Sequence, residues 1–148
     1  MSTPDSLSME RDVQVLEFRL GEERFCVDIA DINEIVEKGQ LTGIPNTADH
    51  VLGVMDLRGE TTTIVDPKQV LDVADVDTGE RVIIFESDDA RPIGWLVDSV
   101  HEVSTLGEED VESVGEDAVV KGVISQGDRF VVWVEPDAVH ATNKSRTA

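Results

Sequence analysis

The side chains that could do metal or acid–base chemistry in this chain are His50, His101, His140, Cys26 and a large excess of carboxylates. No histidine has a ligand companion at i+3 or i+4, and one cysteine cannot complete a zinc site. His101-Glu102 opens like the H-E-x-x-H zinc helix, but Thr105 stands where the second histidine belongs. Asp75, Asp77 and Glu86 fall at positions one, three and twelve of a calcium loop. Position six needs glycine for its sharp turn and carries Glu80, so an EF-hand is rejected. Glu108-Glu109-Asp110 and Glu116-Asp117 have the residue types for general acid–base work. In a chain this acidic, a solvated surface is the commoner meaning of such clusters. No nucleophile elbow or phosphate-cradling glycine loop occurs. The expectation is a protein that binds and does not catalyse, with no cofactor and no metal.

One cation is placed for recognition chemistry. Leu52-Gly53-Val54-Met55-Asp56-Leu57-Arg58-Gly59 sets Arg58 at a turn beside an apolar strand. Its flat guanidinium suits bidentate contact with a carboxylate or carbonyl, and Gly59 permits the tight turn that projects it. An ordinary solvated turn arginine is the plainer reading of the same residues.

The elements that must position Arg58 are strands. The 148 residues suit one compact domain or two small lobes sharing a core. Twenty-three valines and nine isoleucines are stiff, β-branched and suited to pleated surfaces. Aromatics make up 4%, so an aliphatic core is expected. Residues 13–20, the turn Gly21-Glu22-Glu23 and residues 24–27 read as a hairpin. Asp28 can cap a short helical stretch with Ile29, Ile32, Ile35 and Val36 near one face. Residues 42–50 read as loop, then 51–57 and 61–65 as strands around the Arg58-Gly59-Glu60 turn. Asp66-Pro67 caps and opens a short helix to Leu71, and 72–79 is an acidic linker.

The plan then repeats, with strands at 81–86 and 92–97 around a turn over 87–90. Val97-Asp98 with Val100, Glu102 and Val103 echoes Val27-Asp28 with Ile32, Glu34 and Ile35. Gly53-Val54-Met55 and Ile64-Val65-Asp66-Pro67 are matched by Gly122-Val123-Ile124 and Trp133-Val134-Glu135-Pro136, at a constant offset of 69. Two echoes in one order indicate a duplication into β-rich lobes over 13–71 and 80–140, with exchange of strands between them left open. Small twisted sheets of this kind tend to close into barrels.

Thirty-two acidic residues against twelve basic ones give a formal charge of −20, which disfavours nucleic acid and anionic membrane surfaces as partners. The carboxylates are spread along the chain and lysine is limited to Lys38, Lys68, Lys121 and Lys144, a pattern expected of a halophilic, salt-adapted surface. An acidic face for a basic partner is the alternative. Cys26 sits among apolar residues as a small hydrophobe, so no internal disulfide is expected. Residues 1–12 are polar and carry no signal-peptide or anchor pattern, and a cytoplasmic protein is expected.

Taken together, these residues resemble the CheW family. Ile32-Asn33-Glu34-Ile35, Ile44-Pro45, Gly53 through Gly59 and Ile64-Val65-Asp66 follow the family pattern in order. Gly94-Trp95-Leu96-Val97-Asp98-Ser99-Val100-His101-Glu102-Val103 and Lys121-Gly122-Val123-Ile124 continue it, so the likeness spans about 13–140. Asp56 replaces the usual asparagine, Thr63 the usual proline and Pro67 the usual leucine. The resemblance implies an all-β fold with a few short helices, built as two five-stranded SH3-like barrel lobes packed together. It implies a non-catalytic chemotaxis scaffold coupling the cytoplasmic tips of methyl-accepting chemoreceptors to the regulatory domain of a CheA-like histidine kinase. By position, Ile32, Glu34, Arg58 and Gly59 would form the kinase-binding and coupling surface, while Gly94, Val100 and Val103 would lie near the receptor groove. Such an adaptor would be cytoplasmic and recruited to membrane-associated receptor arrays. Rival readings are another adaptor or kinase fragment of the same fold, a small acidic metal-dependent enzyme using Asp66 and Asp98, and a salt-adapted barrel without a signalling role.

Overall fold

A computed structural model of the chain describes residues 13–45, 47, 49–73, 79–86, 92–112 and 119–140. Most of the acidic linker, the turn over 87–90, the Glu116-Asp117 pair, Asp75 and Asp77 of the rejected calcium loop, and both termini lie outside the described residues.

The first half supplies β1 (Val13–Leu20), β2 (Glu23–Asp28), β3 (Ile32–Glu37), β4 (Val51–Leu57), β5 (Glu60–Val65) and the short helix α1 (Pro67–Leu71). The second supplies β6 (Arg81–Phe85), β7 (Ile93–Val97), β8 (Ser99–Leu106), β9 (Val111–Glu112), β10 (Val120–Gln126) and β11 (Arg129–Val134). A helical turn over 136–140, α2, follows. The helix expected after Asp28 is corrected to a single 3-10 turn, Ile29–Asp31, whose Ala30 N–H donates to the Asp28 carboxylate at 3.0 Å. Beyond it Ile35 packs on one core and Val36 on another. Adjacent residues facing opposite ways is strand geometry, which a single helix face cannot provide.

Two sheets result, ordered β3-β6-β7-β5-β4 and β8-β1-β2-β11-β10-β9. Each takes a hairpin from the opposite half of the chain: β6–β7 lies among β3, β4 and β5, and β1–β2 among β8 to β11. Under exchange of the halves the two orders coincide, with β9 as the addition. β5 runs parallel to β7, and β11 parallel to β2. No continuous run of paired strands closes either sheet among the described residues. The five-stranded sheet is instead brought round to its own edge where Thr42 and Val54 exchange backbone hydrogen bonds of 2.9 Å. In the other sheet β9 does the same, pairing Glu112 with Val123.

The offset of 69 marks these returns. Gly53 lies at a register shift in β4, and a Cβ there would run into the Thr42 carbonyl. Its counterpart Gly122 lies at a register shift in β10, where a Cβ would meet Val111 Cγ1 at 2.6 Å. Glycine is needed where the returning backbone passes this close. Asp66 N–H donates to the His50 carbonyl at 2.7 Å, and Glu135 N–H to the Val119 carbonyl at the same length.

Apolar side chains form three cores. One lies within the six-stranded sheet (Val15, Cys26, Leu106, Ile124, Val131) and one within the five-stranded sheet (Met55, Ile64, Val82, Ile84, Leu96). The third joins them and holds Phe18, Phe25, Phe85 and Trp95, so the expectation of a wholly aliphatic interior is corrected. Four of the chain's six aromatic rings are concentrated in this joining core: Trp95 contacts Phe85 at 4.5 Å and Phe18 at 6.0 Å between ring centroids. Large rings fill this space with few residues, Phe18 meeting Trp95 edge-to-face and stacking on Phe25.

Candidate functional site

Leu57 and Glu60 pair at the end of β4 and β5, leaving Arg58 and Gly59 as a two-residue turn. Both have positive φ, 51° and 88°, the geometry whose twist matches a hairpin. Arginine pays a left-handed penalty there that glycine would not, on the order of 1 kcal/mol. Asp56 Oδ2 accepts a long contact of 3.5 Å from Gly59 N–H. An asparagine carbonyl could accept it equally, so Asp56 keeps the turn's acceptor.

Arg58 donates through Nη2 to Glu34 Oε2 on β3. The two strands lie at opposite edges of the five-stranded order, so the sheet's curl brings together side chains 24 residues apart. The Arg58 side chain is 67% exposed and that of Glu34 is 29% exposed. An ion pair this open contributes at most about 1 kcal/mol, so it does little for stability. It does hold a guanidinium upright with further donors facing solvent.

The structure thus gathers Glu34, Arg58 and Gly59 into one corner. Ile32, at the start of β3, is half-buried against the joining core. Gly94 is buried in mid-sheet, paired with Ile84 and Ile64, where a Cβ would meet Val82 Cγ1 at 2.7 Å. Val100 lies opposite Phe18 and packs on the joining core, while Val103, opposite Leu16 on β8, is 49% exposed. Val103 alone of that trio offers substantial surface.

The carboxylates of the rival enzyme reading are engaged structurally. Asp66 Oδ1 accepts from Lys68 N–H at 3.1 Å as the cap of α1, and burial pushes its carboxyl up from the usual range. Asp98 accepts from the buried Lys68 ammonium at 3.2 Å and from Gly21 N–H at 2.6 Å. Trp95 Nε1–H donates to His140 Nε2 at 3.0 Å, and His50 is buried. Burial pushes the Cys26 thiol up to about 12, so it packs as a hydrophobe and is not a nucleophile. Among the described residues no three metal-ligating side chains are grouped to hold an ion. No described helix is long and apolar enough to cross a membrane.

Two residues escaped sequence reasoning. Lys68 carries no motif signal as the partner of Asp98, because 30 residues separate them. Phe130, 64% exposed beside the β10–β11 turn, stands in the hairpin equivalent to that of Arg58; the offset of 69 marks that hairpin but sets Phe130 against Thr61, so it carried no signal for the residue itself.

Two intertwined curled sheets, structurally engaged carboxylates and an exposed Arg–Glu corner define a β-scaffold that works by binding other proteins. Residues 14–143 match the CheW-like domain family. The chemotaxis protein CheW of Rhizobium meliloti (strain 1021) is 31% identical over 142 residues, covering 91% of this chain and 92% of that protein. The Klebsiella aerogenes chemotaxis protein CheW is 32% identical over 129 residues, with 82% and 78% covered. The crystal structure of the scaffolding protein TtCheW from Thermoanaerobacter tengcongensis superposes with a TM-score of 0.74 at 28% identity, covering 83% of this chain and 88% of that one. The chain belongs to the CheW family, non-catalytic chemotaxis scaffolds that couple receptors to a kinase.

Proposed function

We propose that the corner formed by Glu34, Arg58 and Gly59, with Ile32 behind it, is the kinase-facing surface, and that β8 around Val103 faces the receptor. The observation that carries the first assignment is Arg58 itself, held in a strained turn by an ion pair too exposed to stabilise the fold. Arginine at such a position suits a partner carboxylate or carbonyl. The partners are a CheA-like histidine kinase regulatory domain and the cytoplasmic tip of a methyl-accepting chemoreceptor. Val103 supplies exposed apolar area for a helical receptor tip, and Val100 supports it from the core side. Gly94 acts indirectly by letting β7 pack closely against Val82 and Ile84. The protein works in the cytoplasm at receptor arrays, and its −20 charge adapts it to high salt.

Calorimetric titration with the regulatory domain of a cognate CheA-like kinase in high-salt buffer tests the assignment. Arg58→Glu should weaken binding at least about tenfold, on the order of 1.4 kcal/mol, with an unchanged melting temperature. Equal binding by wild type and variant would remove the corner from the kinase surface.

A further inference from the structure

A polar cleft of about 630 Å³ opens at the mouth of the six-stranded sheet, above the small core that contains Cys26. It is lined by Glu17 from β1, Arg24 from β2, His101, Glu102 and Ser104 from β8, and Arg129 from β11. The floor is built. Glu17 is 4% exposed, accepts from Arg24 Nη1 at 3.0 Å and takes a longer contact of 3.5 Å from Ser104 Oγ. A second relay stands at one side, where Arg19 Nε donates to Ser99 Oγ at 3.2 Å and Ser99 lies 3.1 Å from His101 Nε2. Three of the chain's twelve basic residues, Arg19, Arg24 and Arg129, therefore converge on His101 in a molecule of net charge −20. Burial and then the field of those arginines hold His101 below its ordinary value, while Glu17 opposes them.

We propose that this cleft is a docking site for a carboxylate side chain of an acidic peptide segment in a partner protein. With Arg24 pinned by Glu17, Arg129 is the exposed guanidinium of the lining, with no ion pair among the described residues, and turns onto the incoming carboxylate. Arg24 and Arg19 supply the surrounding positive field, and the Ser104 hydroxyl is a neutral polar group beside them. A volume near 630 Å³ admits one or two side chains, and its polar lining is unlike the mostly apolar pockets that hold small organic molecules. Glu102 at the rim sets selectivity: it repels an anion that does not bring its own contacts along the strands. The rest of the acidic surface repels such a partner at long range, but about 0.15 M salt screens that repulsion beyond roughly 8 Å and leaves contacts inside the cleft.

The test is amide chemical-shift titration of the isotopically labelled full chain at 0.3 M KCl. Three probes are used: an end-blocked peptide of consecutive glutamates, its glutamine counterpart, and inorganic phosphate. The glutamate peptide should give saturable shifts centred on β2, β8 and the β10–β11 turn, and should raise the His101 pKa as it saturates. Arg129→Glu should weaken it at least tenfold with an unchanged melting temperature; if that variant unfolds, Arg129→Gln takes its place. Arg58→Glu should leave it unchanged, which separates this site from the kinase-facing corner. Absence of saturation, shifts elsewhere, equal binding by the glutamine peptide, or insensitivity to Arg129 would overturn the proposal. Phosphate binding as tightly as the peptide would overturn it too, by making the cleft a free-anion site.

Discussion

Gly53 and Gly122 show how a single missing Cβ controls the shape around it. At Gly53 φ is +146° and the Thr42 carbonyl occupies the space a side chain would need. Gly53→Ala meets both backbone strain and a rigid neighbour, and should cost about 3 kcal/mol by chemical denaturation. Gly122→Ala should cost less, about 1–2 kcal/mol, because its nearest obstacle is the movable Val111 side chain. The reverse ranking would mean that the backbone obstacle and positive φ at Gly53 do not decide the cost. Cys26 gives a pH prediction at the same scale. Its folded-state value is raised from 9.0 to about 12, so the unfolded thiol loses its proton first. The stability it contributes is intact below about pH 9 and falls as pH rises towards 12. Cys26→Ala should flatten that alkaline decline in urea denaturation, and native Cys26 should resist thiol reagents at pH 8.

At the scale of elements, strands, turns and caps read well from local chemistry. The β1–β2 hairpin, β4 and β5, and the Asp66-Pro67 start of α1 follow β-branched runs punctuated by turn residues. The stretch after Asp28 did not, because Ile32, Ile35 and Val36 satisfy helical spacing on paper while two different cores pull them to opposite faces. Burial against cores that local sequence cannot see outweighed a weak propensity. Asp66→Ala removes the cap on Lys68 N–H and should cost about 1 kcal/mol in thermal unfolding. Part of that loss is offset, since burial already disfavours the charged carboxylate. A neutral or stabilising result would mean desolvation outweighs the cap. The corner was legible as residue types: Arg58 and Gly59 announce a projecting turn. Its pairing with Glu34 was not, because only the curl of the sheet places β3 beside that turn.

Across the whole molecule, each sheet depends on a hairpin from the other half, and the joining core draws on both. Fragments 1–73 and 79–148 should therefore each lack cooperative unfolding alone and recover it when mixed, as followed by near-ultraviolet circular dichroism. Cooperative unfolding of either fragment by itself would contradict the interdependence. The charge acts at this scale as well. Thirty-two carboxylates repel one another when salt is dilute. Raising KCl from dilute to molar should lift the melting temperature by about 5 °C or more. No change would remove the salt-adaptation reading.

The sequence by itself determined the β-rich class, the twofold repeat at an offset of 69, the turn that projects Arg58 and the family likeness. These depend on local propensities, on glycine and proline geometry, and on order along the chain, all of which one strand of text preserves. Tertiary structure alone decided which hairpin joins which sheet, that Gly94 and Val100 serve packing while Val103 meets solvent, and that Glu34 stands against Arg58. Those outcomes depend on contacts between residues far apart in the chain. Their energies arise from burial and curvature, and alternating apolar residues look the same whichever core receives them.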